Sequence, residues 1–170
     1  MRHGACYRLV PRGASSARNA VNNKPERRLG SIRLADGSGV ADFFARALGA
    51  PHRYRRIVVC SPFIDEEGIR LLDRLQRRSQ SGGRVDLVVS AADASEASSR
   101  WPGLRVIEKV GLHAKVYALL GFREADHFAL VTSANLTAAG MSRNLELGLQ
   151  VTGASEDLVR LIERIPARLD

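Results

Sequence analysis

His113 and Lys115 stand two residues apart in a short apolar run, Leu112 to Leu120, that reads as a β-strand. Residues i and i+2 of a strand point to one face, so the two side chains can address one ligand together. A lysine aimed into an otherwise apolar strand needs an anion to offset its charge. Two later segments add donors and a carboxylate: Ser133-Ala-Asn135, and Asn144-Leu-Glu146. A histidine, a lysine, a hydroxyl, an amide and a carboxylate suit the breaking of a phosphodiester. Lys115, Ser133 and Asn135 can donate to the non-bridging phosphate oxygens, where charge sits in the transition state. Neutral His113 can attack phosphorus through one ring nitrogen if a carboxylate holds the other, and Glu146 is the carboxylate at hand. The leaving alcohol needs a proton, which a second histidine with a pKa near neutrality would supply.

These residues make a geometric demand on the hairpin that must carry them. Leu112 to Leu120 and Phe128 to Ala134 flank a turn, and both strands are apolar on both faces, as expected of central strands covered by helices. With an odd-length loop such as Phe122 to Asp126, His113 opposes Asn135 and Lys115 opposes Ser133, and all four side chains share a face. Glu146 would reach the same place from the neighbouring strand, Asn144 to Val151, with Asn144 beside it.

Around the hairpin the chain alternates strands and helices. Gly30 to Gly39 reads as a turn-rich entry and Val40 to Leu48 as a helix with Val40, Phe43, Phe44 and Ala47 on one side. Arg55 to Cys60 is a buried strand, after which Asp65 can cap the helix Glu66 to Ser79. Val85 to Ser90 and Leu104 to Val110 are further strands, separated by a polar loop of small residues, Ala91 to Arg100. Thr137 to Met141 makes a short helical turn, and a final helix, Glu156 to Arg168, is capped by Ser155. The expected fold is α/β, a mixed β-sheet sandwiched between helices in one domain over residues 31–170.

Residues 1–30 read as a basic, disordered tail, of which Met1 to Asn23, Arg-rich, Ser-containing and free of acids, also has the look of a mitochondrial transit peptide. The tail's six arginines and Lys24 against Glu26 make it +6 within a formal net charge of +8, so the domain behind it is nearly neutral. Any basic groove there must come from a few well-placed side chains. Of 26 basic residues only Lys24, Lys109 and Lys115 are lysines, so an ammonium at position 115 stands out against the arginine habit. The two cysteines, Cys6 and Cys60, supply neither a disulfide framework nor a zinc set, and a reducing cytoplasm fits them. No apolar run approaches membrane-spanning length, and no stable membrane association is expected.

Leu112-His113-Ala-Lys115-Val-Tyr117, Thr132-Ser133-Ala-Asn135-Leu-Thr137 and Asn144-Leu-Glu146 together resemble the HKD signature of the phospholipase D superfamily. Val58-Val59-Cys60-Ser61-Pro62-Phe63-Ile64 resembles the strand and turn that open that domain. The resemblance runs from about Gly39 onward and leans toward the branch found beside helicase and restriction modules. It implies a phosphodiesterase that needs no metal or other cofactor and works through a covalent phosphohistidine. By position it implies His113 as nucleophile or partner acid, Lys115, Ser133 and Asn135 on the phosphate, and Glu146 orienting histidine, with Asn144 and Thr132 in support. The chain departs from the pattern in having Leu120 where an aspartate stands five positions after the lysine, with Asp126 further along the turn. Thr132 also replaces a glycine.

His3, His52 and His127 lack a lysine at the motif spacing, so there is one copy of the motif, and the second histidine is expected from another subunit of a homodimer. Half of a longer two-motif protein is the other way to explain a single copy. Nucleic acid, with DNA favoured over RNA, is the expected partner, for a short basic chain that does not advertise an apolar rim. The alternatives are a phospholipase or phosphatidyl transferase, and a catalytically silent module that binds nucleic acid or dimerises. Trp101 and Tyr117 can each stack a base or pack in the core.

Overall fold

A computed structural model of the chain describes residues 31–79, 83–153, 159, 160, 163 and 164. The basic tail and most of the expected final helix lie outside them. Among the described residues seven strands form one sheet: β1 (Ser31–Ala35), β2 (Tyr54–Cys60), β3 (Arg84–Ser90), β4 (Arg105–Lys109), β5 (Val116–Gly121), β6 (Phe128–Thr132) and β7 (Gly148–Thr152), in the spatial order β1-β7-β6-β5-β2-β3-β4. β2, β3 and β4 are parallel, and the remaining pairings are antiparallel. The mixed sheet and its helices make the α/β architecture expected.

The parallel half follows from two crossovers. α2 (Glu66–Ser79) connects β2 to β3, and α3 (Ala91–Arg100) connects β3 to β4. α2 buries Leu72 and Leu75, while Arg70 on its outer side pairs with Glu66 and Glu67. With α1 (Ser38–Gly49) these helices cover one face of the sheet, where Phe43, Phe44, Leu72, Tyr117 and Phe128 share the main core. On the other face Val159 packs beside Val58, Ala118, Leu120 and Ala129. β5 and β6 are central and apolar on both faces for this reason.

Three expectations need correcting. The segment taken as a polar loop, Ala91 to Arg100, is helix α3; it buries only Ala94 and Ala97, too small an apolar stripe to announce itself. The turn-rich entry contains strand β1, whose side chains are almost all exposed because it pairs with β7 at the edge of the sheet. The hairpin register is one residue away from that expected. The ladder pairs Val116 with Val131 and Leu119 with Phe128, and continued outward it sets Lys115 beside Thr132, whose N–H donates to the Lys115 carbonyl at 3.1 Å. The cause lies in the turn, where Glu124–Asp126 forms a 3-10 turn and His127 folds back so that its Nδ1 accepts the Gly121 N–H.

Strand ends decide what can meet. The C-terminal ends of β2, β3, β4 and β6 and the N-terminal ends of β5 and β7 lie along one edge of the sheet, the upper edge below. In open α/β sheets ligands bind outside the carboxyl ends of strands. α4 (Ala138–Ser142), one residue on from the expected turn, follows β6 at the same edge and is capped by Thr137, whose Oγ1 accepts the Gly140 N–H.

Candidate active site

Lys115 immediately precedes β5, Ser133 immediately follows β6, and Glu146 lies two residues before β7, so three strand ends bring them to the upper edge. The cluster does not sit on one strand face, as the expected register required. The chain leaves the β5–β6 ladder after Thr132, and Ser133 turns to the β7 side, its N–H donating to the Leu147 carbonyl at 3.0 Å. Because the residues have left the pleat, register does not dictate which way their side chains point.

Glu146 is buried, 8% exposed, and its carboxylate is held from two sides. Ser133 Oγ donates to Oε2, and Asn144 Nδ2 donates to Oε1 at 3.3 Å. The same Ser133 hydroxyl accepts the Leu147 N–H at 3.2 Å. Thr132 Oγ1 donates to the Leu147 carbonyl at 3.2 Å and accepts the Ala134 N–H at 3.1 Å, so it stitches β6 to the approach of β7. Ser133, Asn144 and Glu146 thus form one hydrogen-bonded unit, with Thr132 beneath it.

Lys115 is 9% exposed. Among the described residues its ammonium has no hydrogen-bond or salt-bridge partner. Burial of a lysine side chain is unfavourable unless an anion compensates its charge, which marks this position as a candidate anion site. Asn135 adds a second unpaired group, since its Oδ1 is buried without a partner. Buried polar atoms are nearly always bonded, and a lone acceptor of this kind calls for a donor. His113 lies in the exposed connection between β4 and β5, and Glu146 spends its described bonds on Ser133 and Asn144. No group of three or more His, Cys, Asp or Glu side chains that could hold a metal ion occurs among the described residues.

The loop carrying Ser133 and Asn135 is tied down by residues from elsewhere. Tyr117 is fully buried and its hydroxyl donates to the Ala134 carbonyl at 3.2 Å, so it is a core residue and no base stacks on it. Trp101 is likewise buried, with Nε1 donating to Asp73 at 2.7 Å. Ser61 Oγ accepts the Leu136 N–H at 3.0 Å, and Asp65 Oδ2 accepts the Ala138 N–H at 2.8 Å. The sequence marks Asp65 as the cap of α2, a role it has; its tie to Ala138 spans two segments far apart in the chain and leaves no sequence signal. Cys60 lies under the loop that holds His113, its thiol against the Ala114 carbonyl at 3.5 Å. Burial pushes that thiol up to about 11, which leaves it inert as a nucleophile.

The other described histidines sit at the opposite edge. His52 lies in the 3-10 turn Pro51–Arg53 that leads into β2, and His127 in the β5–β6 turn. A seven-residue strand is roughly 20 Å long, so neither can join His113. Asp126 is at that far edge too, 3.8 Å from Arg53. Leu120, where the motif's aspartate would stand, is buried among Val58, Ala118 and Ala129 and lies roughly 17 Å along the strand from Lys115. A side chain there cannot touch a ligand held by Lys115. Its neighbour across the ladder, Arg56, pairs with the buried Asp86 at 2.6 Å.

The upper edge is not uniformly polar. Leu145 and Leu147 flank Glu146 and are 94% and 67% exposed, against the expectation of no apolar rim. Leu149, Val131, Ile32 and Leu34 continue the exposed apolar strip across β7, β6 and β1.

No protein-family model and no curated protein matches the chain in sequence. Solved structures do match in shape. The phospholipase D family member Nuc from Salmonella typhimurium superposes with a TM-score of 0.58 at 14% identity, covering 82% of this chain and 95% of that one. NucT from Helicobacter pylori gives 0.58 at 11% identity, with 82% and 94% covered. Phosphatidylserine synthase from Haemophilus influenzae gives 0.61 at 13% identity over 84% of this chain, which spans only 39% of that larger protein. The chain has the phospholipase D fold.

Proposed function

We propose that this chain, with its phospholipase D fold, is a phosphodiesterase that cleaves nucleic acid, DNA foremost, without a metal ion and through a phosphohistidine on His113. The observation that carries the reading is Lys115, its side chain largely buried at the strand-end edge and its ammonium without a partner among the described residues, on the same edge as Asn135 and the Ser133–Glu146 pair. A phosphodiester monoanion supplies the counter-charge that the Lys115 ammonium lacks. Lys115 and the Asn135 amide hold the non-bridging oxygens, and Ser133 either joins them or keeps Glu146 in place for His113.

In the first step a His113 ring nitrogen forms a bond to phosphorus as the P–O bond to the leaving alcohol breaks, and a second imidazolium donates its proton to that oxygen. In the next, the second imidazole takes a proton from water, which attacks phosphorus and displaces His113. Among the described residues His113 is alone at this edge, so the second group is assigned to His113 of a second copy across a two-fold axis. The exposed strip beginning at Leu145 and Leu147 adjoins Glu146 and offers that copy an apolar surface to cover. Arg143, exposed just before Asn144, places a further cation along the same edge, which favours a substrate with several phosphates.

The same two leucines favour a second reading, in which the rim takes acyl chains and the substrate is a phospholipid. Purified protein and His113→Ala, assayed in EDTA on single- and double-stranded DNA, RNA and phosphatidylcholine vesicles, separate the two. Nucleic-acid cleavage that persists in EDTA and is lost in the variant is expected. Lipid turnover alone would replace the first reading with the second, and binding of DNA without cleavage would leave a silent binding module.

A further inference from the structure

We infer that Asp65 is a positioning residue of this site, acting through the loop that carries Asn135; the inference rests on the phosphodiesterase reading. Asp65 stands just before α2, and its Oδ1 accepts the N–H groups of Glu67 and Gly68 at 3.0 and 3.1 Å, an ordinary helix cap. Capping leaves its other bonds unexplained. Oδ2 accepts the Ala138 N–H at 2.8 Å, and the Asp65 N–H donates to the Leu136 carbonyl at 3.2 Å. One residue therefore grips the chain at the first and third positions after Asn135.

The chemistry of the grip is specific to a carboxylate. Serine, threonine or asparagine would cap α2 as well as aspartate does. Only an ionised carboxyl offers two acceptor oxygens and no donor, and here both oxygens face N–H groups of different segments. An asparagine would keep the cap through its carbonyl and present an NH2 group to the Ala138 N–H, donor against donor.

Asn135 is held from the other side as well. Tyr117 takes the Ala134 carbonyl, Ser61 Oγ accepts the Leu136 N–H while donating to the Phe63 carbonyl at 2.8 Å, and Ile64 bridges to Leu136. Beneath the loop, a Cβ on Gly140 would come within 2.6 Å of the Asn135 carbonyl oxygen, so α4 packs as close as backbone allows. The outcome is a backbone fixed on both sides of a residue whose own side-chain oxygen is left unpaired. The connection between β2 and α2, which carries none of the proposed reacting groups, thereby sets where Asn135 meets the phosphate.

The test is a double-mutant cycle of Asp65→Asn and Asn135→Ala, read as kcat and KM on bis(p-nitrophenyl) phosphate, with backbone hydrogen exchange on the same proteins. Asp65→Asn is expected to lower kcat about a hundredfold, the scale for an ångström-sized misplacement, with protection lost at Ala138 and retained along α2. On the Asn135→Ala background the same change is expected to cost less than about threefold, because coupled residues do not add. Independent losses that multiply, or an Asp65→Asn enzyme with wild-type kcat, overturn the inference and leave the proposed function standing. A wild type that cleaves no phosphodiester overturns the proposed function instead, and unchanged exchange at residues 135–138 in Asp65→Asn then overturns the grip itself.

Discussion

The N–H of Thr132 donates to the carbonyl of Lys115 at 3.1 Å, and beyond that contact β5 and β6 part. Lys115 is held by its backbone at the edge of the sheet; its side chain is largely buried, and its ammonium meets no partner among the described residues. The geometry of the ladder thus delivers a cation to the place where the next residue, Ser133, turns toward Glu146.

A lysine whose side chain is largely buried while its ammonium has no partner among the described residues gains the free protein no ion pair. Lys115→Met should therefore abolish function without loss of stability. Phosphodiester cleavage is expected to fall by about 10²–10³, the effect of removing one preorganised donor, while the melting temperature stays level or rises. A melting temperature several degrees lower would show that Lys115 is a structural ion.

Ser133 couples to Glu146 directly, and its replacement leaves a buried carboxylate short of a donor. Ser133→Ala is expected to destabilise the fold by about 1–3 kcal/mol in urea titration. The combined Ser133→Ala, Glu146→Gln protein should lose less than the sum of the two single changes. Strict additivity would contradict the bond.

Gly68 packs α2 against the Asn135 loop, and a Cβ there would lie 2.4 Å from the Leu136 carbonyl oxygen. Gly68→Ala is expected to cost about 1–3 kcal/mol despite alanine's better helix propensity. Gly49→Ala, where a Cβ meets nothing within 4 Å, is the control in the same assay and should be much milder.

His127 accepts the Gly121 N–H through Nδ1 at the far edge, and burial lowers its pKa below the usual 6.5. The unfolded chain then binds a proton that the folded chain refuses, so the stability due to this neutral imidazole is whole above about pH 6.5 and declines as pH falls below it. Melting curves between pH 7.5 and pH 5 should show the wild type converging on His127→Gln as pH drops. A gap that stays constant over that range would contradict the neutral assignment.

The exposed strip beside Glu146 ties assembly to activity. Sedimentation at micromolar concentration is expected to show a dimer for the wild type, and a monomer with at least about tenfold less activity when Leu145 and Leu147 are both made aspartate. A fully active monomer would contradict the shared site.

What the residues disclosed and what they withheld divide along physical lines. β2, β3 and α2 were legible because buried runs and an apolar stripe with period 3.6 are local signals. α3 was not, since Ala94 and Ala97 are all it buries, nor was β1, which exposes nearly every side chain. Gathering Lys115, Ser133 and Glu146 needed only strand order, which the pattern of central apolar strands supplied. The register failed because a 3-10 turn at Glu124–Asp126 is not written in hydrophobic periodicity. Asp65's second bond, to Ala138, joins segments that no local pattern relates.

The central claim is a covalent bond between His113 and substrate phosphorus, and the most direct measurement is to trap it. Protein mixed with a labelled oligonucleotide in EDTA, quenched in denaturant at alkaline pH and mapped by peptide mass spectrometry, is expected to carry an acid-labile nucleotidyl or phosphoryl adduct on His113, absent from His113→Ala. Cleavage in EDTA that leaves no adduct on His113 and survives His113→Ala would contradict it.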